Sequence, residues 1–150
     1  MKRIAILAGC ALLGIGGQVA AACTVGTRVQ DLNGTSGGSG NGLLGDKTVC
    51  GTGINASAGD KWQEWHQTGG TLTEYALGSN PVDPTHNVGS WSVASNNTAT
   101  ATVTHNYGSG GSFTWSVHDN GSGSYSFCTG TSGTELVTAT LLSGQQSCGF

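Results

Sequence analysis

The sequence predicts an all-β protein: an antiparallel up-and-down meander of about eight short strands that forms a small barrel or sandwich held by two disulfides. The first observation is that no window after residue 22 keeps apolar residues at the helical period. The second is that short runs rich in Val, Thr and aromatic residues alternate with Gly, Asn and Ser. Because an unclosed array of such strands exposes its edges, the sheet must close on itself or fold into two.

The chain divides into three predicted segments. Residues 1–22 are typical of a secretory signal peptide, because Lys2 and Arg3 precede the apolar run "IAILAGCALLGIGG" and the small residues of "VAAAC". Residues 23–46 are predicted to be a flexible, Gly/Ser-rich N-terminal segment, and residues 47–150 a single β domain. The apolar run is too short for a membrane span, so we expect a secreted or periplasmic protein with no transmembrane segment in its mature form.

Charge narrows the range of partners. After residue 22 the chain carries three basic residues against eight acidic ones, a net charge of −5. Nucleic acid binding depends on a basic surface that neutralises phosphates. The sequence therefore predicts no nucleic acid partner.

Four cysteines remain after residue 22, namely Cys23, Cys50, Cys128 and Cys148. An even number in an exported chain predicts two disulfides. Three pairings are possible, and short loops near each end of the chain favour Cys23–Cys50 with Cys128–Cys148. No C-x-x-C spacing supports a metal–thiolate site.

The predicted strands are 47–50, 61–67, 71–77, 90–95, 98–107, 112–119, 123–128 and 134–142. Residues 78–89 are predicted to be a loop, because Pro81 and Pro84 cannot serve a central strand. Asn120-Gly121 is a strong signal for a hairpin turn.

Aromatic residues provide the candidate binding site. In "KWQEWH" (61–66), strand alternation places Trp62, Glu64 and His66 on one face and Trp65 on the other. Aromatic side chains beside a few polar groups are typical of clefts that bind sugars or apolar ligands. The candidate ligand-binding residues are Trp62, Glu64, Trp65, His66, Tyr75, Trp91 and Trp115. The alternative is that one tryptophan of this strand is core and the other covers a loop.

Catalytic and metal-binding patterns are weak. The four histidines, His66, His86, His105 and His118, do not pair at close spacing, so we predict no metal site and no cofactor. No nucleophile–base motif is present, although Glu64 and Glu74 are expected to face each other across the 61–77 hairpin. A hydrolase would have to use His66 with Glu64, or His86 with Asp83.

Several short motifs resemble a known pattern. These are "LLGDKTVCG" (43–51), the Trp62–Tyr75 hairpin, "VGSWSV" (88–93) and "YSFC" (125–128). They are similar to small secreted bacterial domains of uncharacterised function in which an LLxGxTVC opening precedes a GxW strand. The resemblance implies a lipocalin-like β-barrel. In lipocalins the GxW motif lies on the first barrel strand, whereas here it comes in mid-chain, so no site residues are transferred.

Taken with the absence of a catalytic motif, these features favour a non-enzymatic secreted or periplasmic binding protein for a small ligand, a glycan or a protein partner. Two alternatives remain. One is a structural or assembly protein of a fibre or surface, which would add an edge strand to a neighbour. The other is a small secreted hydrolase.

Overall fold

The chain folds into a closed eight-stranded barrel. The computed structural model describes residues 22–33, 42–54, 58–74, 86–130 and 133–150, and within these ranges the strands follow one another around the barrel in sequence order. They are β1 (Lys47–Gly53), β2 (Lys61–His66), β3 (Thr71–Glu74), β4 (His86–Ala94), β5 (Thr102–Asn106), β6 (Ser112–Gly121), β7 (Ser124–Thr129) and β8 (Glu135–Ser143). All neighbours are antiparallel, and β8 pairs with β1, which confirms the all-β meander and selects the barrel over the sandwich.

Two strand boundaries differ from the prediction. β4 begins at His86, within the segment predicted to be a loop, because residues 86–87 pair with the end of β3. β5 begins at Thr102 rather than at residue 98, because the preceding residues form turns. One of these turns is bonded to a separate segment, since the Asn97 amide donates to the Gln30 carbonyl. The alternation of Thr and Ala in residues 98–101 fits a strand equally well, so the sequence could not reveal the turn.

The core fills the barrel interior with side chains that alternate along each strand. The buried core residues are Leu32, Leu44, Val49, Leu72, Trp91, Ala101, Val103, Val117, Phe127, Val137 and Ala139. Leu32 and Leu44 come from outside the strands, and the Leu44 amide donates to the Leu32 carbonyl. These two leucines, both fully buried, therefore belong to the core at the end where β1 begins.

Residues 22–33, here called the N-terminal strap, first cross the outer face of the barrel at β6 and β7 and then contribute Leu32 to the core. Cys23 is bonded to Cys128 of β7, and the Val29 amide donates to the Val117 carbonyl of β6. The Arg28 guanidinium donates twice to the Ala101 carbonyl, from Nε at 3.1 Å and from Nη2 at 2.6 Å. Although the sequence predicts that this stretch is flexible, its described residues are packed, because backbone pairing and a disulfide hold them on β6 and β7.

Residues 144–150, the C-terminal strap, cover another part of the outer surface. Thr48 of β1 donates to the Gly144 carbonyl and accepts from the Gln146 amide. The Cys148 amide donates to Gln63 Oε1 of β2. These contacts bury Thr48 and Gln63 although both lie on the outer face.

The disulfide pairing predicted from loop length is wrong. The disulfides join Cys23 to Cys128 and Cys50 to Cys148, so each spans about a hundred residues of sequence (separations of 105 and 98). Barrel closure is the reason. Because β8 pairs with β1, the segment after β8 reaches Cys50, while the N-terminal strap crosses β7 at Cys128.

The predicted signal peptide lies, except for Ala22, outside the described residues, as do Tyr75 and the Pro81–Pro84 segment. Within the described part of the chain, no helix is long and apolar enough to cross a membrane.

Candidate functional site

A group of polar side chains is buried inside the barrel. Glu64 and His66 alternate inward along β2, and His105 of β5 and Tyr107, just after β5, do the same from across the interior. Glu64 is 5 % exposed, His66 is fully buried and His105 is 2 % exposed. Polar side chains at such depth are costly unless they bond one another.

These four side chains form a continuous hydrogen-bonded chain. His66 Nδ1 lies 3.3 Å from the Glu64 carbonyl oxygen, and His66 Nε2 lies 2.9 Å from His105 Nε2. His105 Nδ1 is 3.3 Å from the Tyr107 hydroxyl. That hydroxyl is 2.7 Å from Glu64 Oε1, so the chain leads from the backbone of Glu64 to its own carboxyl group.

The partners assign the protons of this chain. A carbonyl oxygen only accepts, so His66 carries its proton on Nδ1 and accepts at Nε2. His105 must then donate from Nε2, which leaves its Nδ1 as an acceptor. When Glu64 is protonated, its O–H donates to Tyr107 and the Tyr107 hydroxyl donates to His105, so every ring nitrogen has a partner. When Glu64 is ionised, Tyr107 turns its proton to the carboxylate and His105 Nδ1 loses its donor.

The pKa values follow from this environment. Burial raises the pKa of Glu64 from 4.5 to about 7, although the bond from Tyr107 opposes the shift. Burial lowers the pKa of His66 from 6.5 to about 4. Burial, and then the charge of His66, hold the pKa of His105 well below its usual range. Both imidazoles are therefore neutral at neutral pH, while the Glu64 carboxyl is close to its titration midpoint.

One atom of the chain remains without a hydrogen bond. Glu64 Oε2 is buried and has no hydrogen-bond partner. His105 Nδ1 is 3.5 Å away, but the neutral ring carries no proton on this nitrogen that it could donate. A buried carboxyl oxygen of this kind needs an explanation, because buried polar atoms are nearly always satisfied.

A series of aromatic rings leads from this polar chain to the surface. The His105 ring is 4.7 Å from Trp115 in an edge-to-face arrangement, and Trp115 is stacked at 5.9 Å on Phe113. The Tyr107 ring is 6.0 Å from Phe113. Phe113 is 48 % exposed, so the series ends in solvent.

A second carboxylate lies beside Glu64. Glu74 of β3 is its direct cross-strand partner on the same face, as the hairpin interpretation predicts. Glu74 is about one third exposed at its side chain and lies 3.7 Å from His86 Nε2. We call Glu64, Glu74, Tyr107, Phe113 and Trp115 the rim cluster.

The predicted tryptophans occupy different environments. Trp62 lies flat on β1, where a Cβ at Gly51 would be 2.6 Å from its Cε2 atom. The Trp65 indole donates to Asp46 Oδ1 at 3.0 Å. Trp91 is core, with its indole donating to the Gln67 carbonyl at 3.0 Å. Trp115 is the tryptophan with ring contacts to both His105 and Phe113.

Sequence reasoning selected Glu64, His66 and Trp115 as candidates but omitted His105, Tyr107 and Phe113. The sequence did indicate His105, since strand alternation places it on the same face as Val103 and Tyr107, and this face turns inward. What the sequence could not show is that β2 and β5, which are not neighbours in the sheet, meet across the interior.

Metal binding has no support in this arrangement. Among the described residues, no group of three or more His, Cys, Asp or Glu side chains could hold a metal ion. His118 lies apart from the other histidines, beneath the N-terminal strap, where Nδ1 is 2.8 Å from the Thr24 carbonyl oxygen.

Comparisons with protein-family models, with curated proteins and with solved structures find no match for this chain. The lipocalin-like resemblance of its motifs therefore stays a prediction.

Proposed function

We propose that this chain is a non-enzymatic secreted or periplasmic binding protein that takes a small ligand at the rim cluster. The observation that carries the proposal is the unpartnered Glu64 Oε2 beside aromatic rings that reach the surface at Phe113. Leaving such an atom unsatisfied costs about 1–3 kcal/mol or more. A ligand that donates a hydrogen bond to it recovers that cost, while the rings contact the ligand's apolar surface.

The two hydrolase pairs gain no support. His66 Nδ1 contacts the backbone carbonyl of Glu64 rather than its carboxylate, and His66 Nε2 is occupied by His105. Asp83, the suggested partner of His86, lies outside the described residues. The cysteines described are all in disulfides, so none of them is a thiol nucleophile.

An assembly function through strand addition also lacks support. Strand addition requires an edge strand with unpaired backbone groups. In the described barrel each strand has a partner on both sides, because β8 closes onto β1.

Native mass spectrometry of the protein purified from its own host tests the proposal. We expect a bound small molecule in the wild type that is lost in Glu64→Gln and in Phe113→Ala. Phe150→Ala is the matched control, because Phe150 lies on the outer surface against Lys61 and should leave the ligand bound.

The proposal fails if the wild type carries no small molecule and if NMR signals of the rim cluster do not respond to any compound in a panel of amines, alcohols and carboxylates. It also fails if Phe150→Ala releases the ligand as readily as Phe113→Ala.

A further inference from the structure

We propose that the ligand of the rim cluster is a small organic cation, an ammonium group attached to an apolar or aromatic body. This inference rests on the proposed binding function and names its ligand class. The argument has three parts: the charges, the rings and the protons of the site.

The rim cluster holds two carboxylates and neither a lysine nor an arginine. Glu64 and Glu74 are directly opposite on one face, an arrangement that is unfavourable when both are ionised. The three basic side chains after residue 22 all have partners elsewhere. Arg28 donates to the Ala101 carbonyl, Lys47 to Ser143 Oγ, and Lys61 lies over the ring of Phe150.

The histidines do not supply the missing charge. His66 and His105 are the groups that face Glu64 from β2 and β5, and burial keeps both neutral at neutral pH. His86 of β4 faces Glu74 at 3.7 Å but is exposed to water. Among the described residues, none therefore supplies a positive charge to Glu64 Oε2, which leaves this position to a cationic ligand.

The aromatic rings suit the same ligand. Tyr107 bonds the carboxyl group directly, and His105 lies 3.5 Å from its other oxygen. Phe113 packs against Tyr107 and Trp115 against His105, so both rings are one residue removed from the carboxyl group. The faces of such rings attract cations, and their area covers an apolar body. A carboxylate close to aromatic rings, of which Phe113 is exposed and the other two are half-buried, thus favours a cation over a neutral or anionic compound of the same shape.

Binding of a cation would displace a proton. In the empty site, the Glu64 proton completes the hydrogen-bonded chain through Tyr107 to His105. When an ammonium N–H donates to Glu64 Oε2, the carboxyl O–H bond breaks and its proton passes to water. Tyr107 then donates to the carboxylate. The positive charge of the ammonium group has thus replaced that of the released proton.

Isothermal titration calorimetry with three matched probes tests the inference. The probes are benzylammonium, benzyl alcohol and benzoate, measured in two buffers that contain no cationic amine and differ in ionisation enthalpy. We expect benzylammonium to bind at least tenfold more tightly than benzyl alcohol and benzoate not to bind. Proton release should approach one per benzylammonium at pH 6 and fall towards zero at pH 8, because the Glu64 pKa is about 7.

Three variants locate the effect. Glu64→Gln should abolish both the preference for benzylammonium and the proton release, and Glu74→Gln should weaken benzylammonium about tenfold. Asp119→Asn is the control, because it removes the same charge near the far end of β6, six residues beyond Phe113 and four beyond Trp115. It should change affinity less than twofold.

The outcomes separate this inference from the binding function. Equal or tighter binding of benzyl alcohol or benzoate, lost in Phe113→Ala, overturns the cation but keeps a ligand site. An equal loss in Asp119→Asn and Glu64→Gln also overturns the inference, since the preference would then reflect net charge alone. If no probe binds the wild type, the inference fails, and the panel described above decides the binding function.

Discussion

His105 inside the barrel and His118 beneath the N-terminal strap are both almost fully buried, yet their ring nitrogens meet different partners. His118 Nδ1 is 2.8 Å from the Thr24 carbonyl oxygen, and its Nε2 is 3.0 Å from Ser116 Oγ. These partners are neutral and both nitrogens are satisfied. His105 instead belongs to a chain that ends at a carboxyl group with an unpartnered oxygen. Burial of a histidine therefore does not by itself indicate a site; an unsatisfied polar atom among its neighbours does.

The largest loss of unfolding free energy should come from removing the disulfide that holds the N-terminal strap. We expect Cys23→Ser with Cys128→Ser to cost about 4–5 kcal/mol of unfolding free energy, because the disulfide closes a loop of about a hundred residues. Guanidinium denaturation measures the loss. Hydrogen exchange should show lost protection around His118 and retained protection at His105 in the folded state.

The Cys50→Ser, Cys148→Ser pair is the matched control, since its loop is of nearly the same length. It should cost a similar free energy without affecting the amides around His118. A loss below about 1 kcal/mol for Cys23→Ser with Cys128→Ser would contradict the expected stabilisation by this disulfide. Equal deprotection at His105 would show that the two regions do not open independently.

A smaller change, this time a gain in unfolding free energy, should come from replacing Glu64 in the barrel interior. Burial raises the Glu64 pKa from 4.5 in the unfolded chain to about 7, so the ionised carboxylate destabilises the folded state at pH 8. We expect Glu64→Gln to raise the unfolding free energy by about 3 kcal/mol at pH 8. Urea denaturation measures it.

The pH dependence provides the check on this variant. Between pH 7 and 4.5 the folded wild type holds a Glu64 proton that the unfolded chain lacks, so the advantage of Glu64→Gln should shrink by about 1.4 kcal/mol per pH unit. It should be close to zero at pH 4. An advantage that persists at pH 4 would mean that the gain comes from packing rather than charge.

The smallest changes in unfolding free energy should come from removing the hydroxyl groups that bond His105 and His118. Tyr107→Phe removes a hydroxyl that bonds both His105 and Glu64, and we expect it to cost about 2 kcal/mol. Ser116→Ala removes one partner of His118 and should cost about 1 kcal/mol. Thermal and urea unfolding at pH 7 measure both.

Tyr125→Phe is the control for loss of a tyrosine hydroxyl: Tyr125 is half-buried like Tyr107, but its hydroxyl has no hydrogen bond among the described residues, whereas that of Tyr107 has two. It should change stability by less than about 0.5 kcal/mol. If Tyr107→Phe is equally silent, the interior chain does not stabilise the fold and resembles an ordinary surface contact.

Local patterns in the sequence predicted the parts of this molecule that depend on strand alternation. Trp62, Glu64 and His66 alternate along one strand, and Glu64 pairs with Glu74 across one hairpin. The contact between His66 and His105 depends on barrel closure, which brings separate strands together across the interior. Barrel closure, rather than loop length, also determines which cysteines form the disulfides. Sequence spacing therefore gave the contents of each strand but not the partners that meet across the barrel.

The disulfide pairing has a consequence for biosynthesis. As the chain emerges from its N-terminal end, Cys23 and Cys50 appear first, and their native partners follow about a hundred residues later. Early oxidation would join Cys23 to Cys50, a pair absent from the barrel. The native pairs become neighbours only after β7 and β8 have docked, so correct maturation requires either delayed oxidation or thiolate exchange that resolves the early pair. Disulfide isomerase activity in the compartment where the chain folds thus becomes a determinant of how much correctly paired protein accumulates.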